Sequence, residues 1–224
     1  MVHADPVTPV AWPLFDLRVT APRVTLRLPS EAELMRLAAR AAGRLLAPAQ
    51  AGFMSDWALL PSPLFERSMV QFHWRLRAAW TPAQWSLALG IYPSGQDEPV
   101  GGIDATATKF AHLRSVSTGW WLLPEWRGCG LGKEALAAML HLVFDGLGAR
   151  EARSIVHPDN AVSLVIGRGL GYQVDGMERT LAGDGQPIDA LRLLLRRDDW
   201  ATTARSNIAV SGLGACAELF GLSS

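Results

Sequence analysis

A chain of 224 residues, 49% of them hydrophobic, is long enough to bury a large core without disulfide or metal staples. Its 21 basic side chains balance 21 acidic ones, which removes the electrostatic case for nucleic acid or an anionic membrane as partner. The 2 cysteines, Cys129 and Cys216, cannot by themselves build a disulfide framework or a metal site, and they fit a reducing compartment.

In chain order, MVHADPVTPVAWP (1–13) reads as a loose arm. It has no basic region followed by an apolar stretch, and no apolar run in the chain approaches the ~20 residues that cross a bilayer. The expectation is a soluble, cytoplasmic protein. Leu17–Leu28 alternates apolar and polar residues, which predicts strands broken at Pro22. Ser30 then caps a helix, SEAELMRLAARAAG, with Glu33 at the capping-box position and Gly43 as its stop. Residues 47–63 are rich in Pro, Gly and aromatic residues and predict a folded loop. In a second helix, Leu64–Trp80, the side chains of Phe65, Met69, Phe72, His73 and Leu76 recur at helical spacing, as core or pocket wall.

Trp85–Tyr92 and Pro99–Ala107, joined by PSGQDE, predict a hairpin, and Thr118–Leu123 predicts a further strand. Lys133–Leu147 has the pattern of an amphipathic helix. A strand at Ala152–Val156, a helix from Asn160 to Arg168, a Gly-Leu-Gly-Tyr turn and a last strand at Ala190–Leu195 follow. The tail, 201–224, is too short to fold alone; with its strand-like IAVSGL it is expected to pack on the same domain or on a second subunit, which leaves a homodimer open. The 9 tryptophans exceed the usual need of such a core, so some are expected at a pocket or interface.

The stretch RGCGLGKEAL (127–136) raises the functional question, because it opens as a phosphate-binding turn and continues as a helix. As a Walker A loop it fails twice: Arg127 stands where the first Gly belongs, and Glu134 replaces the magnesium-binding hydroxyl. Gly130-Leu131-Gly132-Lys133-Glu134-Ala135 matches the Rossmann fingerprint formally, but Pro124–Arg127 separate it from its strand. The pattern that fits both flanks is a strand, a Pro-Glu-Trp turn, then Arg-x-x-Gly-x-Gly entering a helix. Its glycines let the amides from Gly128 to Lys133 wrap an anion at the positive helix end, holding a pyrophosphate without a metal.

This stretch resembles the acyl-CoA motif of the GNAT superfamily of N-acyltransferases, with Arg127, Gly130 and Gly132 at the matching positions. DNAVSLVIGRGLGY resembles the second GNAT signature through Asn160, Ser163 and Leu170-Gly171-Tyr172. The start WPLFDLRVTAPRVTLRLPS and the segment FMSDWALLP look most like the ribosomal-protein N-acetyltransferase branch and its succinyl-CoA-using relatives. The resemblance implies an α/β (α+β) fold with a mixed central sheet, a splayed central strand pair and flanking helices, over residues 14–200. It implies acetyl-CoA or succinyl-CoA as co-substrate, an amine acceptor on a protein or small molecule (an amine-bearing antibiotic included), and no metal. Backbone of Trp121 and Leu122 would pair with the pantetheine arm, the turn Arg127, Gly128, Cys129, Gly130, Leu131, Gly132 and Lys133 would hold the pyrophosphate, and Asn160 would contact pantetheine. Ser163 is the candidate beside the departing thiolate.

Two positions depart from the family. Gly167 stands where many members place a tyrosine acid, and Ser117 where many carry a carboxylate base. Asp104 is then the candidate base, acting through water, with His73 and His112 weaker choices. Loss of the usual pair also leaves a non-catalytic acyl-CoA sensor as the rival reading. A succinyl donor would need a cation in the pocket, for which Arg75, Arg77, Lys109, His112 and Arg114 are the candidates.

Overall fold

Alternation at the start of the chain becomes two short strands, β1 (Arg18–Thr20) and β2 (Val24–Arg27), paired antiparallel around the turn at Pro22. The structure, a computed structural model, describes residues 11–45, 56–182, 185–201 and 207–222. The expected arm therefore lies largely, and the loop at 47–63 mostly, outside the described residues. Helix α1 (Glu31–Ala41) starts at Ser30, whose hydroxyl accepts from the Glu33 amide while Glu33 accepts from the Ser30 amide. Helix α2 (Leu64–Ala78) buries Phe65, Met69 and Val70, and these meet Leu34, Leu37 and Ala38 of α1 in a cluster of their own.

Strands β3 (Gln84–Pro93) and β4 (Gly101–Thr108) form the expected hairpin. A one-turn helix, α3 (Phe110–Leu113), leads to β5 (Ser115–Leu122). Helix α4 (Leu131–His141) follows the glycine turn. It is shorter than its apolar pattern predicts, because residues Leu142–Gly146 relax into a π-helical turn that keeps Leu142, Val143 and Phe144 buried.

Next come β6 (Glu151–Val156), α5 (Ala161–Arg168), β7 (Gln173–Leu181), β8 (Pro187–Arg196), α6 (Arg197–Ala201) and β9 (Ala209–Ser211). Strand β7 was not legible beforehand. It is a sheet edge with mostly exposed side chains and an irregularity between Val174 and Gly176, so no alternation marks it. The single strand expected at Ala190–Leu195 is the second half of a longer one.

The strands form a mixed nine-stranded sheet in the order β7-β8-β6-β5-β4-β3-β2-β1-β9. Every neighbouring pair is antiparallel except β5 and β6, which are parallel. Their pairing lasts only from Ser115↔Glu151 to Ser117↔Arg153, after which the strands part. Side-chain hydroxyls mark the fork: Thr118 Oγ1 donates to the Arg153 carbonyl at 3.3 Å, and Ser154 Oγ donates to the Thr118 carbonyl at 3.1 Å. Helix α4 covers one face through Ala135, Leu136 and Met139, and α1 and α2 lie over the other. The tail adds β9 antiparallel to β1, and Phe220 packs with Trp80 and Trp85. Among the described residues no helix is long and apolar enough to cross a membrane.

Candidate active site

Where β5 leaves β6, a cavity of about 540 Å³ opens between the fork, α2 and α5. Its lining includes Trp57, Met69, Phe72, His73, Arg75, Asp104, Gly119, Trp121, His157, Asn160, Ser163 and Tyr172. The glycine turn at the N-terminus of α4 follows the end of β5 after a short 3-10 turn at Pro124–Trp126.

In that turn Gly128 and Gly130 have φ of 78° and 83°, a backbone that L side chains rarely adopt. Among the described residues the amides from Gly128 to Lys133 have no backbone acceptor; the α4 ladder begins with the Glu134 amide on the Gly130 carbonyl. Gly132 is needed for a different reason: a Cβ there would stand 2.6 Å from the Trp120 ring, which lies under the helix start. These residues fit an anion such as a diphosphate, held by backbone donors at a positive helix end.

Arg127 spends its guanidinium on the carbonyls of Leu122, at 3.0 Å, and Leu45, at 2.8 Å. Its side chain thus braces the head of the turn and engages the Leu122 carbonyl. The exposed Cys129 thiol donates to the Trp126 carbonyl at 3.3 Å, and Leu131 is buried. Lys133 Nζ lies over Gly169 at the C-terminal end of α5, a favourable place for a cation.

Asp104 sits on β4 directly opposite Gly119 of β5. A Cβ at Gly119 would be 3.1 Å from Asp104 Oδ1, so this carboxylate fills the side-chain space that Gly119 leaves free. Burial alone pushes the Asp104 carboxyl up to about 7. Ser117, the position where the family carboxylate was sought, is exposed and does not line the cavity. Trp121 lies across Gly102, where a Cβ would come within 2.8 Å of its Nε1, and meets the Trp57 ring at 5.7 Å between centroids.

Asn160 caps α5, its Oδ1 accepting from the Ser163 amide at 3.0 Å, and both residues line the cavity. At Gly167 a Cβ would stand 3.3 Å from Leu193 Cδ1, so α5 packs closely on β8 there, with Tyr172 in ordinary contact at 3.6 Å. The buried Tyr172 hydroxyl is 3.1 Å from Thr118 Oγ1 at the fork, and burial raises its pKa. His157 was missed by sequence reading. It is buried on the cavity wall, and its Nδ1 accepts the Asp159 amide at 3.2 Å, leaving Nε2 as the protonated nitrogen. Only its position two residues before the Asp-Asn cap could have flagged it.

His73 also lines the cavity, and burial, with the Arg77 charge second, lowers it to about 4, so it is neutral near pH 7. His112 is exposed on α3 and is not part of the lining. Of the basic candidates for an acyl carboxylate, Arg75 alone lines the cavity. Arg77 is engaged by Glu31 and the Pro29 carbonyl, and Arg114 donates to the Leu147 carbonyl. Lys109 and Arg114 hold left-handed backbone at the two ends of α3, away from the lining.

Residues 23–173 match the family model of the acetyltransferase (GNAT) domain. The chain belongs to the GNAT acetyltransferase family. The span runs from the β1–β2 turn to the start of β7 and so contains the glycine turn, the fork and the Asn160 cap. Solved structures agree on the fold. RimL, a ribosomal L7/L12 alpha-N-protein acetyltransferase in complex with coenzyme A, is 19% identical with a TM-score of 0.64, over 80% of this chain and 97% of that one. The ribosomal-protein-S5-alanine acetyltransferase of Vibrio fischeri is 14% identical with a TM-score of 0.60, over 82% and 98%. FdhC, described as a nucleotide-linked sugar GNAT, is 14% identical with a TM-score of 0.62, over 83% and 93%. One GNAT fold therefore carries different acceptors, and the acceptor of this enzyme has to be sought in its own cavity.

Proposed function

We propose that this enzyme moves an acetyl group from acetyl-CoA directly to the α-amine of a peptide or protein, with Asp104 as general base. The observation that carries the reading is the Asp104 carboxyl, raised by burial to about 7, on the wall of the cavity at the β5–β6 fork. An amine attacks a thioester only when neutral. A base near 7 lies about one unit below an α-ammonium but more than three below a lysine ammonium, so proton removal from the former is far less uphill.

The diphosphate of the donor would lie on the amides of Gly128 to Lys133, and its pantetheine arm along the free edge of β5 at Trp121 beside Asn160. Asp104, through a water, takes the ammonium proton, and the freed nitrogen forms the C–N bond. The C–S bond then breaks, and the second proton of the attacking nitrogen passes to the departing sulfur through the Ser163 hydroxyl, which takes one proton as it hands on the other; Asp104 returns its proton to solvent. Tyr172 holds Thr118 and keeps the fork open; its own high pKa suits it to donating a hydrogen bond rather than a proton.

The RimL and Vibrio fischeri neighbours, named for ribosomal-protein acceptors, support a protein α-amine over a sugar or antibiotic amine. The sensor reading loses its main support, because a half-buried carboxylate, Asp104, does face the cavity although Ser117 is not one. Succinyl-CoA remains a second donor through Arg75 at the cavity wall.

The test is release of free thiol from acetyl-CoA with two peptides, one bearing a free α-amine and one blocked there but bearing a lysine. The α-amine peptide is expected to be acetylated at least about tenfold faster at pH 7.5. Equal rates, or preference for lysine, overturn the acceptor assignment. Tight CoA binding with no thiol release from any amine restores the sensor.

A further inference from the structure

The glycine turn does not hold its shape alone. Arg23, in the β1–β2 turn, reaches it from 106 residues away in sequence. Its backbone N–H donates to Glu134 Oε1 at 2.7 Å and its Nε donates to Glu134 Oε2 at 2.7 Å, so one carboxylate grips both the main chain and the guanidinium. From there Nη1 donates to the Cys129 carbonyl at 3.0 Å. Nη2 lies 3.2 Å from the point where a Cβ on Gly130 would stand.

We propose that Arg23 is a positioning residue for the donor's diphosphate, acting through the Cys129–Gly130 peptide rather than by touching the ligand. The inference rests on the diphosphate reading of the turn given above. A trans peptide carries its C=O and the following N–H on opposite sides. Holding the Cys129 carbonyl on the Arg23 side therefore aims the Gly130 amide the other way, into the row of donors without backbone acceptors. Gly128 and Gly130 need this external hold, since a glycine at positive φ has no side chain to keep its peptide from turning over.

Glu134 supplies a second reason. Its side chain is only 15% exposed and sits in the first turn of α4, where an unpaired carboxylate would repel a diphosphate. Paired to Arg23 it becomes the anchor of the clamp. Lys133, beside it, leans away over Gly169 at the end of α5.

The comparison that isolates this role uses acetyl-CoA and S-acetyl-pantetheine, which keeps the thioester and the arm but lacks the diphosphate. Arg23→Ala is expected to raise KM for acetyl-CoA about tenfold, with kcat within about twofold of the wild type and the kinetics on acetyl-pantetheine unchanged. Arg23→Lys, which keeps a charge but cannot make the fork, is expected to fall between the two. A general loss of packing would lower both donors alike, and that result overturns the proposal. So does an Arg23→Ala enzyme with wild-type KM for acetyl-CoA.

If Arg23→Ala does not fold, calorimetry of CoA and of pantetheine with Arg23→Lys decides the matter, a loss confined to CoA supporting the role and no loss refuting it. Wild-type protein that binds CoA no better than pantetheine removes the diphosphate reading and this inference with it. Wild-type protein that favours CoA while the Arg23 variants match it removes the inference alone.

Discussion

The two ends of the cleft are built on different principles. At the end proposed for the diphosphate, the backbone amides of one continuous turn have no backbone acceptors among the described residues, and side chains such as Arg23 and Arg127 are spent on backbone carbonyls in and beside that turn. At the end proposed for the thioester the candidate groups are side chains, drawn from β4, α2, the residue after β6 and α5: Asp104, Arg75, His157 and Ser163. The first end would bind by geometry that no single side chain supplies. The second depends on single atoms and on the burial that tunes them. Binding and chemistry should therefore separate under mutation, and the sharpest tests are those that damage one end and leave the other intact.

The largest effect is expected at Asp104. Asp104→Asn keeps the shape and removes the base, so kcat should fall about 100- to 1,000-fold while the Kd for CoA stays within about twofold. In the wild type, kcat at saturating acceptor should rise with pH through about 7, as the carboxyl ionises, and this limb should vanish in the variant. A wild-type limb that survives in Asp104→Asn would assign the base elsewhere.

The same substitution has a consequence for stability. The Asp104 pKa is about 7 when folded against an ordinary 3.8, so the folded state holds a proton that the unfolded chain has already lost. Stability is lost as pH rises from about 4 to about 7 and stays lost above. Asp104→Asn escapes this cost and should be more stable than wild type at pH 8, by up to about 4 kcal/mol, with no gain near pH 3. Denaturant melts at the two pH values measure the difference; an equal effect at both would mean that the carboxylate is not buried.

At the other end, Gly130→Val places a branched side chain at φ 83° and against Arg23, which turns the loop amides away from the anion. Its affinity for CoA should drop about 30-fold or more, with affinity for pantetheine little changed. Calorimetry with both ligands checks it, and a folded variant with wild-type CoA affinity would remove the turn from the binding site. Ser163→Ala should be milder, lowering kcat about tenfold with CoA affinity intact. A variant as fast as wild type returns Ser163 to the role of third residue after the Asn160 cap, whose amide Asn160 accepts.

The smallest effect is expected at Arg75. Arg75→Ala should change turnover with acetyl-CoA less than about threefold, since the acetyl group offers no charge to pair. If succinyl-CoA is used, the same change should cut that activity about tenfold or more. A donor preference that does not move excludes Arg75 as the carboxylate partner.

Local chemistry made part of this molecule legible from sequence. The Ser30–Glu33 box and the Asn160 cap rest on contacts between residues a few positions apart, and the β3–β4 hairpin and the glycine turn are marked by local alternation and glycine spacing, all of which a one-dimensional pattern records. The turn's resemblance to the GNAT motif extended that reading to the family. Tertiary structure decided what depends on distant neighbours. Edge strand β7 left no alternation to read, because its side chains are mostly exposed. His157 carries no motif, and its place on the cavity wall follows from the divergence of β6 from β5. Arg23 lies 111 positions from the carboxylate it grips. Asp104 is a candidate base from sequence, but its raised pKa comes from the tertiary structure: Gly119, on the neighbouring strand, leaves room for a carboxylate in a place that water solvates poorly.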